Sequence, residues 1–96
     1  ELHTGTYCEL IAEKNFADAR KELENLRKMS ALAYSLGLEV HAGHGLSFET
    51  VCPIAHIPEI IELNIGHFII SEAIFSGLRP VIYRMRNLIE KVRGEK

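Results

Sequence analysis

The sequence predicts an α/β fold on a parallel sheet, and within that class the last three βα units of a (β/α)8 TIM barrel. Three observations point there. Segments of strand and helix character alternate along the 96 residues, the pattern of a parallel sheet with crossover helices. Parallel strands need cover on both faces, which three strands with helices on one side do not provide. An eight-unit barrel takes roughly 250 residues, so a chain of this length holds about three of its units. The alternative is one edge of an open, doubly wound sheet. Residues 1–96 are therefore read as the C-terminal part of a single barrel domain. The chain opens on "ELHTG" without a methionine, as though inside a strand already begun.

The elements follow in order. "ELHTG" is a strand end closed by the turn signal Thr4-Gly5, and residues 6–15 read as a loop. Phe16, Ala19, Leu23, Leu26, Ala33 and Leu36 then recur at helical spacing with charged residues between them, an amphipathic helix of about five turns. Gly37 is placed as its stop. "LEVHA", Leu38 to Ala42, is a short strand, and "GHG" a loop. Ser47 is a candidate cap for a helix from Phe48 to Ile54, which Pro53 makes irregular. "IIELNIG", Ile60 to Gly66, is the third strand. "HFIISEAIFSG" is a short apolar helix ending at Gly77. Pro80 sits in the first turn of a final helix, where its missing N–H costs little. That helix has an apolar stripe of Val81, Met85, Leu88 and Val92, and "RGEK" reads as a frayed tail.

Composition narrows the function. Eleven basic and thirteen acidic residues leave a net charge of -2, which gives no electrostatic case for nucleic acid. No apolar run reaches the roughly 18 residues a membrane helix needs. Cys8 and Cys52 lie far apart in no CxxC spacing. They read as ordinary thiols in a reducing, cytoplasmic compartment. Cys8, His41, His44, Cys52, His56 and His67 include no HxxxH or CxxC spacing, so no metal site is expected.

Barrel active sites are built from the loops after the strands. Those loops carry Glu1 and His3, then "GHG" (Gly43 to Gly45), then "NIGH" (Asn64 to His67), which opens a short extra helix. Free N–H groups at a helix start favour an anion, and glycines let phosphate oxygens reach the backbone. Gly45, Gly66 and the His67 amide fit a phosphate site, although such glycines also serve simply as tight turns. His44 has no apolar neighbour to bury it, and an imidazole suits proton transfer near neutral pH. The other reading is a solvated loop histidine. Glu1 is a carboxylate at a strand end, facing a ligand or merely structural. His41 is expected on the helix-packing side of its strand, and His56 on plain surface.

"ELHTGTY", "HAGHGLS" and "ELNIGHFIISEAIFSGL" together resemble the C-terminal third of the PdxJ family, the pyridoxine 5'-phosphate synthases of vitamin B6 biosynthesis. The resemblance runs in order over nearly the whole chain. It implies a (β/α)8 barrel assembled into homo-oligomers, octamers in that family, that needs no metal or organic cofactor. It also implies condensation of 1-deoxy-D-xylulose 5-phosphate with 3-amino-2-oxopropyl phosphate to pyridoxine 5'-phosphate, with release of phosphate and water. By the same resemblance His44 is the proton donor and Glu1 helps stabilise a transition state. Gly45, Gly66 and His67 hold the amino-ketone phosphate. The family's other bases and its deoxyxylulose phosphate contacts fall upstream of the matched segment. Rival readings are another phosphate-handling barrel, such as a thiamin phosphate synthase or an epimerase, and a non-catalytic phosphate-binding module.

Overall fold

Three parallel strands lie side by side in chain order in a computed structural model that describes residues 1–94. The elements are β1 (Leu2–His3), α1 (Gly5–Ala12), α2 (Phe16–Ser35), β2 (Val40–Gly43), α3 (Val51–Ala55), β3 (Ile60–Asn64), α4 (Gly66–Ser76) and α5 (Leu78–Gly94). The α/β class and the parallel sheet are as expected. Both pairings, β1 with β2 and β2 with β3, are parallel.

One element was not anticipated. Residues 6–15 are not a loop: most of them form α1, whose Tyr7 and Cys8 are buried, with Leu10 and Ile11 packed against the core. Tyr7, Leu10 and Ile11 stand at helical spacing, but Thr4-Gly5 reads as a turn and masks it. The end of α1 supplies the reversal. Asn15 N–H reaches Leu10 O and Lys14 N–H reaches Ile11 O, a Schellman closure with Lys14 in left-handed backbone at φ 60°. The Asn15 side chain then accepts the Asp18 N–H and caps α2. At the other end of α2, Gly37 N–H bonds Tyr34 O and Leu38 N–H bonds Ala33 O. Gly37 is thus the stop that the sequence proposes.

The core lies between sheet and helices: Tyr7, Cys8, Ala19, Leu26, Val40, Ala42, Leu46, Ile54, Ile57 and Ile60. Val40 and Ala42 are the β2 residues that meet the helices. His41 therefore faces the opposite side of the sheet, not the helix-packing side that alternation suggested. There its imidazole lies 3.2 Å from Glu62 and 3.4 Å from Glu39. The misreading has a cause in β3, where Val40 pairs with Ile60 but His41 with Glu62. Ile61 is the extra residue of a bulge, so both Ile60 and Leu63 turn toward the helices.

The third unit departs from expectation in smaller ways. Phe48 to Thr50 form a turn, and α3 begins only at Val51. That start puts Pro53 in the first turn, where no N–H partner is needed. Ser47 organises the turn: its carbonyl accepts from Val51 N–H and its own N–H donates to Thr50 Oγ1 at 2.8 Å. Val81 and Met85 of α5 are buried, with Leu88 and Val92 half-buried beside them. Arg93 and Gly94 are helical rather than frayed. The Arg93 guanidinium donates to Ala55 O and Ile57 O, both at 3.0 Å, and ties α5 to the end of α3. The remaining tail residues, 95 and 96, lie outside the described residues.

Candidate active site

The loop after β2 is held from below and from the side by the start of α1. Thr4 N–H donates to Gly43 O at 2.8 Å, which prolongs the β1–β2 ladder by one bond. The next residue, His44, has φ 92°, a backbone region that side chains rarely adopt and that costs roughly 1–3 kcal/mol. Contacts to its carbonyl offset that strain. Thr4 Oγ1, fully buried, donates to His44 O at 2.7 Å. The Cys8 thiol approaches the same oxygen at 3.8 Å. Burial pushes the Cys8 thiol up, more than its hydrogen bonds to Thr50 and Thr4 pull it down. It therefore stays a neutral thiol, in keeping with the ordinary role expected of it.

The His44 ring lies against His3, with ring centroids 4.2 Å apart and planes inclined by 27°. Gly5 makes the room. A Cβ there would stand 2.6 Å from His3 Cε1 and 2.8 Å from His44 Cδ2. Gly43 serves packing of another kind, because its Cβ would sit 2.7 Å from Asn64 Cβ and 2.8 Å from the Asn64 carbonyl oxygen. Gly45 follows at φ 79°, where only glycine is unstrained. Leu46, 1% exposed, returns the loop to the core.

The loop after β3 is built in the opposite way. Gly66 and His67 open α4 with no side-chain cap. A Cβ at Gly66 would meet nothing within 4 Å, so the fold itself does not demand glycine there. Between the two loops lies a cleft of about 490 Å3, lined by His44, Gly45, Leu46, Asn64, Ile65, His67, Phe68 and Ser71. Phe68 meets Phe48 edge to face at 4.8 Å, and the Arg84 guanidinium lies 4.0 Å from the Phe48 ring centre. These contacts tie the first turn of α4 to the β2 loop and to α5.

Of the residues singled out in the sequence, His44, Gly45 and His67 line this one cleft, and Gly66 adjoins it. Glu1 bonds the side chain of Asn64 and so reaches the cleft wall through it. His56 caps the end of α3 and is exposed, as expected. Sequence reasoning missed the parts of Thr4 and Asn64. The only signal was their place inside "HTG" and "NIGH". A wider groove of about 650 Å3 runs along α5 past Arg79, Tyr83 and Glu90. It lies on a single helix face with no strand-end loop, so the smaller cleft is the candidate site. Among the described residues, no group of three or more His, Cys, Asp or Glu side chains forms a ligand set for a metal ion. No helix among them is long and apolar enough to cross a membrane.

Comparison with known proteins gives a consistent result. A family model described as "Pyridoxal phosphate biosynthesis protein PdxJ" matches residues 1–91. A pyridoxine 5'-phosphate synthase of Ruegeria pomeroyi is 62% identical over 94 residues, which are 98% of this chain and 38% of that protein. A protein of the same name from Roseobacter denitrificans is 59% identical over 94 residues, with the same coverage. One from Caulobacter vibrioides is 56% identical over 95 residues, 99% of this chain and 37% of the relative. The chain thus spans well under half the length of the relatives it matches. With the glycine-flanked histidine and the glycine-histidine helix start on one cleft, and with the match running almost from end to end, the chain belongs to the PdxJ family.

Proposed function

We propose that this chain is the C-terminal part, the last three βα units with a short extra helix, of a (β/α)8 barrel that makes pyridoxine 5'-phosphate. The reaction condenses 1-deoxy-D-xylulose 5-phosphate with 3-amino-2-oxopropyl phosphate and releases phosphate and water. The observation that carries this reading is the shared cleft, where His44 and Gly45 from one loop face His67 from the next. Its two sides suit two tasks. The N–H groups at the start of α4 and near Gly45 are fitted to a phosphate, and the open space at Gly66 leaves room for its oxygens. Beside Gly45 and facing the start of α4, His44 supplies a proton. Ring closure expels water, and an oxygen leaves far more readily as water than as hydroxide, so the step needs a general acid, a task an imidazole can perform. Glu1, linked to Asn64, is assigned to stabilising charge that develops in the transition state. The open sheet face, with His41, Glu62 and Asn64, is taken as barrel interior that the upstream units close. The complete protein is read as a cytoplasmic homo-oligomer, an octamer as in the family, with no metal or organic cofactor.

The test uses the full-length protein and both substrates. His44→Asn keeps polarity and approximate size but removes the imidazole. Turnover is expected to fall by roughly 10²–10⁴ while substrate affinity changes little. Near-normal turnover in that variant would leave the acid unassigned and favour a phosphate-binding module with an idle histidine. Turnover of a different phosphorylated substrate, with none of these two, would favour another phosphate-handling barrel.

A further inference from the structure

We infer that His3 is a positioning residue for His44, holding the proton-donating imidazole by its face so that both ring nitrogens stay free for substrate. The inference rests on the proton-transfer reading of His44 given above. Four observations carry it. The two rings stack at 4.2 Å, although they come from different strand ends. Among the described residues, no group hydrogen-bonds either nitrogen of His44, whose fixed points are its carbonyl and its ring face. His3 is itself fixed, because Gly5 N–H points at its Nδ1 at 3.3 Å, which leaves the ring proton on Nε2. Finally, Gly5 has no side chain at the one place where a Cβ would strike both rings, at 2.6 and 2.8 Å.

The chemistry explains why a face contact is useful. A histidine oriented through a hydrogen bond to one nitrogen has committed that nitrogen to its orienter. A stacked partner restricts the ring plane and commits neither. His3 is exposed and is no part of the core, so packing alone does not account for a ring there. The stack, the Thr4 hydroxyl on the His44 carbonyl and the gap at Gly5 come from three consecutive residues. "HTG" thus acts as one clamp on the histidine of "GHG".

The experiment compares full-length variants by steady-state kinetics and by NMR of the imidazole C–H signals. His3→Ala is expected to lower kcat by roughly tenfold to a hundredfold, the scale of a small misplacement of a reacting group, with KM within about twofold. His3→Phe keeps a flat ring and should recover most of kcat. It should also restore the upfield ring-current position of the His44 signals that His3→Ala loses. In a His44→Asn background, His3→Ala should have no further effect, because the two act as one unit. Should His3→Ala not fold, His3→Asn reads the same contrast, since it offers Gly5 N–H an acceptor but no ring. Full kcat in His3→Ala or His3→Asn beside a crippled His44→Asn would overturn the positioning role alone. Recovery by His3→Asn but not by His3→Phe would also overturn it, assigning the effect to the Gly5 N–H. Near-normal turnover of His44→Asn would overturn the proton-transfer reading and the positioning role with it.

Discussion

The loops after β2 and β3 border the same cleft, yet they are made on opposite plans. The first is over-determined. His44 sits at φ 92° with its carbonyl bonded to Thr4 and its ring stacked on His3, while Leu46 anchors the far end. The second is left open, with an uncapped helix start and a glycine at which an added Cβ would meet nothing within 4 Å. The difference follows from what each loop is proposed to hold. A proton donor needs a fixed direction, and direction must be supplied by contacts within the protein. A phosphate brings its own charge and needs only unobstructed N–H groups.

Adding a side chain at a glycine beside each loop tests the contrast most strongly. Gly5→Ala places a Cβ against the ends of two imidazoles rather than against backbone. The rings are expected to swing apart while the fold survives. Turnover of the full-length protein should drop by roughly tenfold to a hundredfold, with stability changed by no more than about 1 kcal/mol. Chemical denaturation beside steady-state kinetics checks this. A variant with normal kcat would mean that the ring pair has no bearing on turnover.

Gly66→Val perturbs the open loop instead. The branched side chain enters empty space, so stability should stay within about 0.5 kcal/mol of the parent. The same side chain stands where phosphate oxygens would approach. Affinity for the amino-ketone phosphate should weaken by about tenfold, equivalent to 1.4 kcal/mol, with kcat at saturation largely kept. Calorimetric titration separates this from Gly5→Ala, which should leave affinity nearly unchanged. Equal effects on kcat and affinity from both variants would dissolve the distinction between the loops.

Much of this arrangement was legible in the sequence, and what was hidden has a common cause. The middle of the α2 stripe (Ala19, Leu23, Leu26 and Ala33, though not the exposed ends Phe16 and Leu36), the stop at Gly37 and the stop at Gly77 are local signals, spelled out within a turn or two of chain. So is Pro80, which falls in the first turn of α5 as expected. The α1 helix was hidden because Thr4-Gly5 reads as a turn, and Thr4 does not act as an ordinary cap. Its hydroxyl, which a helix N-terminus would ordinarily use, makes no cap bond and goes to His44, 40 residues away. The side of the sheet taken by His41 was hidden because it depends on the pairing of β2 with a bulged β3. Arg93 looked like part of a frayed tail because its partners are carbonyls of Ala55 and Ile57. In the candidate site, "GHG" and "NIGH" named residues that meet at one cleft, but no spacing within the chain says that His3 and His44 touch.

Thr4→Val probes the clamp at its buried end. The replacement is nearly isosteric and deletes only the hydroxyl that donates to His44 O. A buried carbonyl left with a weak thiol donor should cost about 1–3 kcal/mol of stability. The strained His44 backbone then loses its main support, so a smaller decline in kcat should accompany the lower unfolding midpoint. Thr4→Ser keeps the hydroxyl and should restore most of both. A Thr4→Val protein as stable as the parent would show that the 2.7 Å bond is not what holds His44 in its unusual conformation.

The smallest expected effect concerns the buried thiol and phenol of α1. Burial raises both Cys8 and Tyr7 above their ordinary values of 9.0 and 10.0. Such an acid ionises first in the unfolded chain. The stability it contributes is therefore complete below the unfolded pKa and is lost as pH rises toward the folded one. The unfolding midpoint of the full-length protein should accordingly begin to fall near the ordinary thiol value and fall further once the phenol joins in. Cys8→Ala removes the first of these groups, and its midpoint should hold until the pH approaches the Tyr7 range. Urea titrations at a series of alkaline pH values, with parent and variant side by side, isolate the thiol's share from every other titrating group. If the two proteins lose stability in parallel from the same pH, Cys8 is not desolvated enough to matter.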